Sequence, residues 1–329
     1  MNKKIKKTIQ FLGISLVILM AGGLLYAQEK AADKATVPFS NPSEPGLVKV
    51  GVQHGSVTVM GYNGKEVIVE ARVREKLVTE EEIERNEKAK GLKLVQVDTT
   101  GLRVMEDENV MRISVSSFKQ TVDLIIRVPS STSLSISAYD KGDLVVENVN
   151  GEIEISNHRG NINLTGISNA VVAHSYEGEI KAVFKSVSPE LPMSFTSWKG
   201  DIDVTLPSNT KANLKMKSGR GEVYTDFDLQ IVRNPDEGFD FDSDKLKNLE
   251  REARGLFYLT PPDAPDVPEV VISRIKAGIA ERKVELRDFE VGGVYGFSLS
   301  KYIYAKINGG GPVYVFNNNN GDILLRKAK

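Results

Sequence analysis

Residues 142–164 read GDLVVENVNGEIEISNHRGNINL, and this stretch holds three copies of one phrase. The phrase is a glycine, then a polar or acidic residue, with apolar residues at the second and fourth positions after the glycine. Its copies begin nine residues apart at Gly142, Gly151 and Gly160, and further copies begin at Gly55, Gly178, Gly200, Gly221 and Gly321. A repeated unit of strand and turn predicts a fold built by stacking.

The spacing of the glycines predicts the size of one coil. About nine residues make a strand and a tight turn, so a coil with two arms needs roughly eighteen to 22 residues. Gly160 and Gly178 are eighteen apart, with Asn169 between them, and asparagine also tolerates a left-handed turn. Alternation places the two apolar residues of each copy on one face, so stacked coils would align them in columns. These pairs are Leu144/Val146, Ile153/Ile155, Ile162/Leu164, Ile180/Ala182 and Ile202/Val204. The regular offset favours an all-β solenoid, a β-helix or β-roll, over a β-sandwich.

The first 27 residues have the pattern of a secretory signal peptide. Four lysines precede an apolar run from Ile9 to Tyr26, and Ala27 is a small residue suited to the cleavage site. An uncleaved membrane anchor is the alternative, because the run is nearly long enough to span a bilayer. Without residues 1–27 the chain has 39 Lys and Arg against 44 Asp and Glu, a net charge of −5 that argues against a nucleic-acid binder.

The chain contains no cysteine, which excludes disulfides, thiolate nucleophiles and cysteine metal ligands. We expect residues 28–45, which are polar and contain three prolines, to be a linker to a solenoid domain over residues 46–329. Capping signals predict flanking helices over residues 79–90 and 244–254, the second within a proline-rich insertion at about 236–290. We expect residues 46–78 with the following helix, and the C-terminal strands, to cap the two ends of the stack.

A set of longer phrases resembles a known bacterial family. They include VDLIIRVP at 122–129, KGDIDVTLP at 199–207, GEVYTDFD at 221–228, INGGGP at 307–312 and NGDILLRK at 320–327. As a set they resemble the β-strand-repeat domain family of unknown function whose members are often labelled putative adhesins. The resemblance implies a right-handed, single-stranded β-helix and export to the envelope or cell surface. It implies no catalytic residues, since none is assigned in the family.

The acids that follow the glycines are the first candidate site. Stacked coils would bring their carboxylates together, and hard cations prefer several oxygen ligands. The simpler interpretation is that each side chain satisfies the backbone near the turn and faces water. The calcium-binding β-roll signature is absent, so we predict no metal site. The residues are Asp143, Asn161, Glu152, Glu179, Asp201, Glu222 and Asp322.

Other residues suggest weaker sites. In the pairs Asp201/Asp203 and Glu152/Glu154, alternation places two carboxylates on one face of a strand. A glycosidase needs such paired carboxylates, but acids at alternate positions are also typical of an ordinary solvated face. We predict that His54, His158 and His174 are turn or surface residues, because none has a metal-ligand spacing. Residues 317–320, four asparagines, predict a turn, with an asparagine ladder inside the stack as the alternative. Trp198 and Tyr176 precede turn glycines and could either stack on sugar rings or cap the core.

We therefore predict an exported, non-catalytic protein of the envelope or cell surface, without cofactor, metal or catalytic residues. It would recognise an envelope glycan or another protein along a regular β-sheet face, through polar outward positions. Two alternatives remain: a carbohydrate-active enzyme built on a β-helix, and a periplasmic structural or signalling component with a protein partner.

Overall fold

Strands make up all the regular structure that a computed structural model describes, over residues 32–76, 100–115, 120–140, 142–232 and 302–329. The strands are β1 (Ala32–Pro38), β2 (Leu47–His54), β3 (Val57–Tyr62), β4 (Glu66–Lys76), β5 (Leu102–Asp107), β6 (Val110–Val115), β7 (Gln120–Pro129), β8 (Ser133–Asp140), β9 (Leu144–Glu147), β10 (Ile153–Arg159), β11 (Ile162–Ser168), β12 (Val171–Glu177), β13 (Ile180–Ser186), β14 (Met193–Lys199), β15 (Ile202–Leu206), β16 (Ala212–Ser218), β17 (Val223–Thr225), β18 (Gln230–Ile231), β19 (Ile303–Ile307), β20 (Val313–Asn318) and β21 (Ile323–Lys327).

Two long sheets are formed by strands that alternate between them along the chain. Sheet A has the order β1-β4-β7-β3-β9-β11-β13-β15-β21-β17, and sheet B has the order β18-β19-β16-β20-β14-β12-β10-β8-β2-β6-β5. Each central coil contributes one strand to each sheet, and successive coils pair in parallel. The all-β, solenoid-like fold predicted from the repeat is therefore correct.

The register confirms the predicted coil length and inward positions. Ile162 lies opposite Ile180, eighteen residues later, and Ile180 lies opposite Ile202, 22 residues later. Both members of every predicted pair are buried, and so are the corresponding residues after Gly55 and Gly321. The copy at Gly221 is the exception, because Val223 is only partly buried. Burying one such side chain contributes about 1.5–3 kcal/mol, so the aligned columns are the main source of stability. Asn169 has a φ of 116°, as its place in the glycine spacing predicts.

The C-terminal coil lies inside the stack, which the chain order does not suggest. Tyr314 of β20 is paired with Met193 of β14 on one side and with Leu214 of β16 on the other. In sheet A, Ile323 of β21 lies between Ile202 and Val223 in the same way. The last coil of the sequence is therefore inserted between the coil that ends at β15 and the coil formed by β16 and β17.

The N-terminal coil is inserted in the same manner. β2 pairs with both β6 and β8, and β3 pairs with both β7 and β9. The expectation that residues 46–78 and the C-terminal strands form the two caps is thus only partly correct. Antiparallel strands lie at the ends instead: β4 on β7 and β5 on β6 at one end, β19 on β16 and β18 on β19 at the other.

Part of the expected linker over residues 28–45 is a strand. β1 lies at the edge of sheet A beside β4, and Lys34 Nζ is 3.3 Å from Glu70 Oε1. An edge strand is hydrogen-bonded to a neighbour on one side only, so a short polar segment that ends in Pro38 can form one. The compact unit begins at Asp33.

Other predictions concern residues outside the described ranges. The signal segment at 1–27, the helices at 79–90 and 244–254, and most of the insertion at 236–290 are among these. Within the ranges that are described, no helix has the length and apolar character needed to cross a membrane.

Candidate functional site

In every copy of the phrase except that at Gly151, the glycine lies in the turn that leads from sheet B into sheet A. A Cβ on Gly160 would lie 2.1 Å from the carbonyl oxygen of Gly142, and one on Gly178 would lie 2.1 Å from that of Gly160. Both glycines also have positive φ, 128° and 152°. The coils thus approach each other through a column of glycines, which Gly55, Gly200, Gly221 and Gly321 continue. Gly151 lies elsewhere, where its Cβ would meet Thr132.

The acids after these glycines form a hydrogen-bonded ladder between coils. Asp143 Oδ1 accepts a hydrogen bond from the backbone N–H of Asn161 at 2.8 Å, and Asn161 Oδ1 accepts one from that of Glu179 at 3.0 Å. Asp201 Oδ1 accepts a hydrogen bond from the backbone N–H of Asp322 at 2.8 Å, and Asp322 Oδ1 accepts one from that of Glu222 at 2.9 Å. The interpretation that these side chains satisfy backbone groups is therefore correct only in part, because the backbone N–H groups belong to the neighbouring coil and not to the same turn.

No group of three or more metal-ligating residues occurs among the described residues. The two acidic pairs also lie apart, since Glu154 is on β10 of sheet B and Asp203 is on β15 of sheet A. Asp203 Oδ1 accepts a hydrogen bond from Arg326 Nε at 2.7 Å, and this contact raises the pKa of the Arg326 guanidinium. Asp201 and Asp203 thus each have a partner within the stack.

A ladder of stacked rings lies on the outside of sheet B, one residue before the strands end. The ring centroids of Tyr139 and His158 are 4.6 Å apart, those of His158 and Tyr176 are 4.8 Å apart, and those of Tyr176 and Trp198 are 6.1 Å apart. The interplanar angles are 17°, 13° and 6°. We call these four residues the aromatic ladder. Offset or parallel stacking of this kind contributes about 0.5–1.5 kcal/mol per pair beyond area burial.

The residues just before the aromatic ladder anchor its strands to the turn. Asn157 is buried, and its Nδ2 donates to Gly142 O at 2.9 Å. Ser175 is also buried, and its Oγ donates to Gly178 O at 3.0 Å. Because neighbours along a strand point to opposite faces, these inward polar side chains direct His158 and Tyr176 outward.

A row of alternating charges lies beside the aromatic ladder. Arg159 Nη1 is 3.4 Å from Asp140 Oδ1, and Arg159 Nε is 3.8 Å from Glu177 Oε2. Lys199 Nζ is 3.6 Å from Glu177 Oε1, and His54 Nδ1 is 3.5 Å from Asp140 Oδ2. We call these five residues the charge row. Ion pairs between exposed side chains, such as Glu177 with Lys199, contribute little to stability.

The two ends of the aromatic ladder are its most exposed members. Tyr139 is 49% exposed and Trp198 is 52% exposed, whereas His158 and Tyr176 are half-buried. The rungs beyond Trp198 carry Asn319 and then Gly219, so the stacking ends there. Trp198 and Tyr176 thus lie outside the core and stack on each other, so the alternative that they cap the core is wrong.

Two members of the aromatic ladder, Tyr139 and His158, were missed from the sequence. Counting two residues back from Gly160, Gly178 and Gly200 finds His158, Tyr176 and Trp198, so the signal was present. The prediction of turn or surface histidines is wrong for His174, which is 5% exposed on β12. The prediction of a turn over residues 317–320 is correct only in part, because Asn317 and Asn318 end strand β20 and the turn begins at Asn319. Asn318 is buried, and its Nδ2 donates to Gly200 O at 2.9 Å and to Asp322 O at 3.1 Å.

Comparison with solved structures finds distant relatives by shape. One is described as a "putative cell adhesion protein" from Clostridium sporogenes, with 10% identity, 91% of this chain and 100% of that chain covered, and a TM-score of 0.39. Another is described as a "putative adhesin" from Bacteroides fragilis, with 10% identity, 91% and 98% covered, and a TM-score of 0.27. No curated protein matches the chain.

A family model gives the more specific match. Residues 140–237, which include most of the glycine column, of the acid ladder and of the aromatic ladder, match the family model described as Toastrack DUF4097. This match confirms the resemblance to a bacterial repeat family of unknown function, over residues 140–237.

Proposed function

We propose that this chain is an exported, non-catalytic binding protein of the bacterial envelope or cell surface. The observation that carries the proposal is the aromatic ladder, whose two end rings leave large apolar surfaces in water at Tyr139 and Trp198. Aromatic side chains dominate the energetics of binding surfaces, because they bury much area at a low entropy cost. A rigid row of such rings is a preorganised surface for an extended ligand.

The polar groups of the repeat support a non-catalytic role. A glycosidase needs two carboxyl groups that face the same bond of the substrate, one of them free to donate a proton. Asp201 accepts a backbone hydrogen bond, and Asp203 is held by Arg326. An enzyme would therefore have to break contacts of its own stack to use this pair.

The enzyme alternative has a direct test. The double variant Asp201→Asn, Asp203→Asn keeps a hydrogen-bonding group at both positions. We expect the wild type to release no reducing ends from any isolated envelope polysaccharide. Turnover by the wild type that the double Asn variant loses would establish the enzyme and overturn the proposal.

Location is tested on cells. A cell-surface protein is digested when intact cells are treated with protease, whereas a periplasmic protein is digested only after the outer membrane is permeabilised. Digestion in intact cells supports direct contact with a surface ligand. Protection until permeabilisation supports the periplasmic alternative with a protein partner, and a protein found only in the cytoplasm would overturn export.

Binding is tested by retention on purified envelope glycans. We expect Tyr139→Ala combined with Trp198→Ala to lower retention at least tenfold, since each exposed ring supplies area that the ligand covers. Tyr224→Ala is the matched control, because Tyr224 is 54% exposed but lies on the outer face of sheet A. Equal retention of the double variant and the wild type would contradict the aromatic ladder as the binding surface.

We further propose that the coil is right-handed. β10 and β12 are parallel neighbours in sheet B, joined through β11 of sheet A, and crossover connections between parallel strands are right-handed in about 98% of cases. An experimental structure with the opposite hand would contradict this.

A further inference from the structure

The aromatic ladder ends in a step beside Trp198. One face of the indole is covered by Tyr176, with the two rings nearly parallel at 6°. On the other side the next two rungs hold Asn319 and Gly219, and neither can supply a ring. Strands in a sheet are about 4.8 Å apart, so two short rungs leave a ledge roughly 10 Å wide next to the second face of the indole.

The alternation of opposite charges in the charge row ends at the same place. From Asp140 to Lys199 each charge has an opposite neighbour, and Glu177 is the last acid of the row. The rungs that follow carry Asn320 and then Arg220, by the register of Asn318 with Ser197 and Ser218. Arg220 is exposed, and among the described residues it has no carboxylate within 4.0 Å. Lys199 and Arg220 therefore lie about 10 Å apart on either side of Asn320.

Two acids of the neighbouring turns, Asp201 and Asp322, are held within the stack. Asp201 and Asp322 follow the glycines, and each accepts the backbone N–H of the next coil. Glu222 is the last residue of that acid ladder, and its own N–H is bound to Asp322. The ledge thus combines an open indole face, a polar amide and two cations, on a chain whose overall charge is slightly negative.

We propose that this ledge is a subsite for an acidic sugar residue of a glycan, an inference that rests on the proposed binding function. The pyranose ring lies on the free face of Trp198, and its carboxylate meets Arg220 and Lys199. Arginine suits this role because its planar fork binds carboxylates at two points. A cationic ligand would be repelled by the same two side chains, and a neutral sugar would leave Arg220 without a partner.

The chain provides its own reporter, because Trp198 is its only tryptophan. Titration with a hyaluronan tetrasaccharide, whose uronic acids carry carboxylates, should change the tryptophan fluorescence in a saturable way. The same tetrasaccharide with its carboxyl groups reduced should bind at least tenfold more weakly. No fluorescence change with the acidic probe, or equal affinity for both probes, would overturn the subsite.

Two variants separate stacking from charge. Arg220→Gln should lower the affinity for the acidic probe about three- to fivefold, the range expected of an exposed ion pair, and should leave the affinity for the reduced probe unchanged. Lys181→Gln, which removes an exposed lysine from the outer face of sheet A, should leave the affinities for both probes unchanged. If Arg220→Gln binds the acidic probe like the wild type, the carboxylate contact is wrong. Trp198→Phe keeps a ring at the site and should retain part of the affinity by calorimetry, whereas full affinity in Trp198→Ala would refute the stacking.

Failure of the subsite is distinguishable from failure of the proposed function. If the protein is retained on envelope glycans but no acidic probe changes the Trp198 fluorescence, the proposed subsite is wrong and the proposed binding function stands. If envelope glycans neither retain the protein nor alter its fluorescence, both fall.

Discussion

The acid ladder predicts that alanine at two neighbouring positions of the ladder, Asn161 and Glu179, has different effects on stability. Asn161 accepts the backbone N–H of Glu179, but Glu179 accepts no hydrogen bond from Asp201, the next residue of the ladder. The extra methylene of glutamate displaces its carboxylate from the place that Asp and Asn occupy in the other coils. The ladder therefore has one missing bond, at Glu179.

The magnitudes follow from one exposed hydrogen bond between coils. Asn161→Ala should lower the free energy of unfolding by about 0.5–1 kcal/mol, and Glu179→Ala should change it by less than about 0.3 kcal/mol. Glu179→Asn, which restores the spacing used at Asn161, should raise it by about 0.5 kcal/mol. In a chain of this size 1 kcal/mol corresponds to a shift in Tm of about 2–4 °C.

The assay is thermal and urea unfolding, followed both by far-UV circular dichroism and by the fluorescence of Trp198. Asn161→Asp is the control that keeps an acceptor oxygen, and it should match the wild type. Equal losses for Asn161→Ala and Glu179→Ala would refute the ladder, because they would show that the side chain at 161 contributes no more than the one at 179.

Three further predictions concern the stack itself. Gly178→Ala should destabilise the protein by at least 2 kcal/mol, since the added carbon meets a backbone carbonyl at 2.1 Å and cannot adopt a φ of 152° without strain; a change below 1 kcal/mol in urea unfolding would contradict the glycine column. Tyr314→Phe should be neutral or stabilising by about 1 kcal/mol, because the buried hydroxyl has no hydrogen-bond partner among the described residues. Burial also raises the pKa of Tyr314 to about 12, above its unfolded value of 10, so wild-type stability is unaffected below pH 10 and should fall between pH 10 and 12, a fall that the Phe variant lacks; identical pH profiles would contradict this. Deleting residues 309–329 removes the inserted coil, and limited proteolysis should then cut within 207–232; an unchanged digestion pattern would contradict the insertion.

The inward positions could be predicted from sequence because they depend on local periodicity. A fixed offset from each glycine determines which side chains face the core, whatever coil lies next to them. The order of the coils could not be predicted in this way. The phrase at Gly321 has the same pattern as the one at Gly200, and this pattern does not determine which coil each of them pairs with. That choice depends on contacts between distant parts of the chain, such as Tyr314 with Met193 and Leu214.

The candidate site was only partly predictable for a related reason. His158 on its own is an ordinary turn residue, and its importance appears only when the register places it between two tyrosines. Tyr139 lies three residues before Gly142, whereas the other rings lie two before their glycines. That one-residue difference hides the first rung from any fixed spacing. The end of the ladder depends on the inserted coil, because Asn319 of that coil takes the place that another ring would occupy.

The central claim is that ligands bind along the edge defined by the aromatic ladder. Hydrogen–deuterium exchange of the full-length protein, with and without purified envelope glycan, measures this location directly. The account predicts that protection rises in the peptides spanning residues 196–200, 218–221 and 318–321, and that the outer face of sheet A around residues 181–185 is unchanged. Protection confined to sheet A, with no change around Trp198, would contradict it.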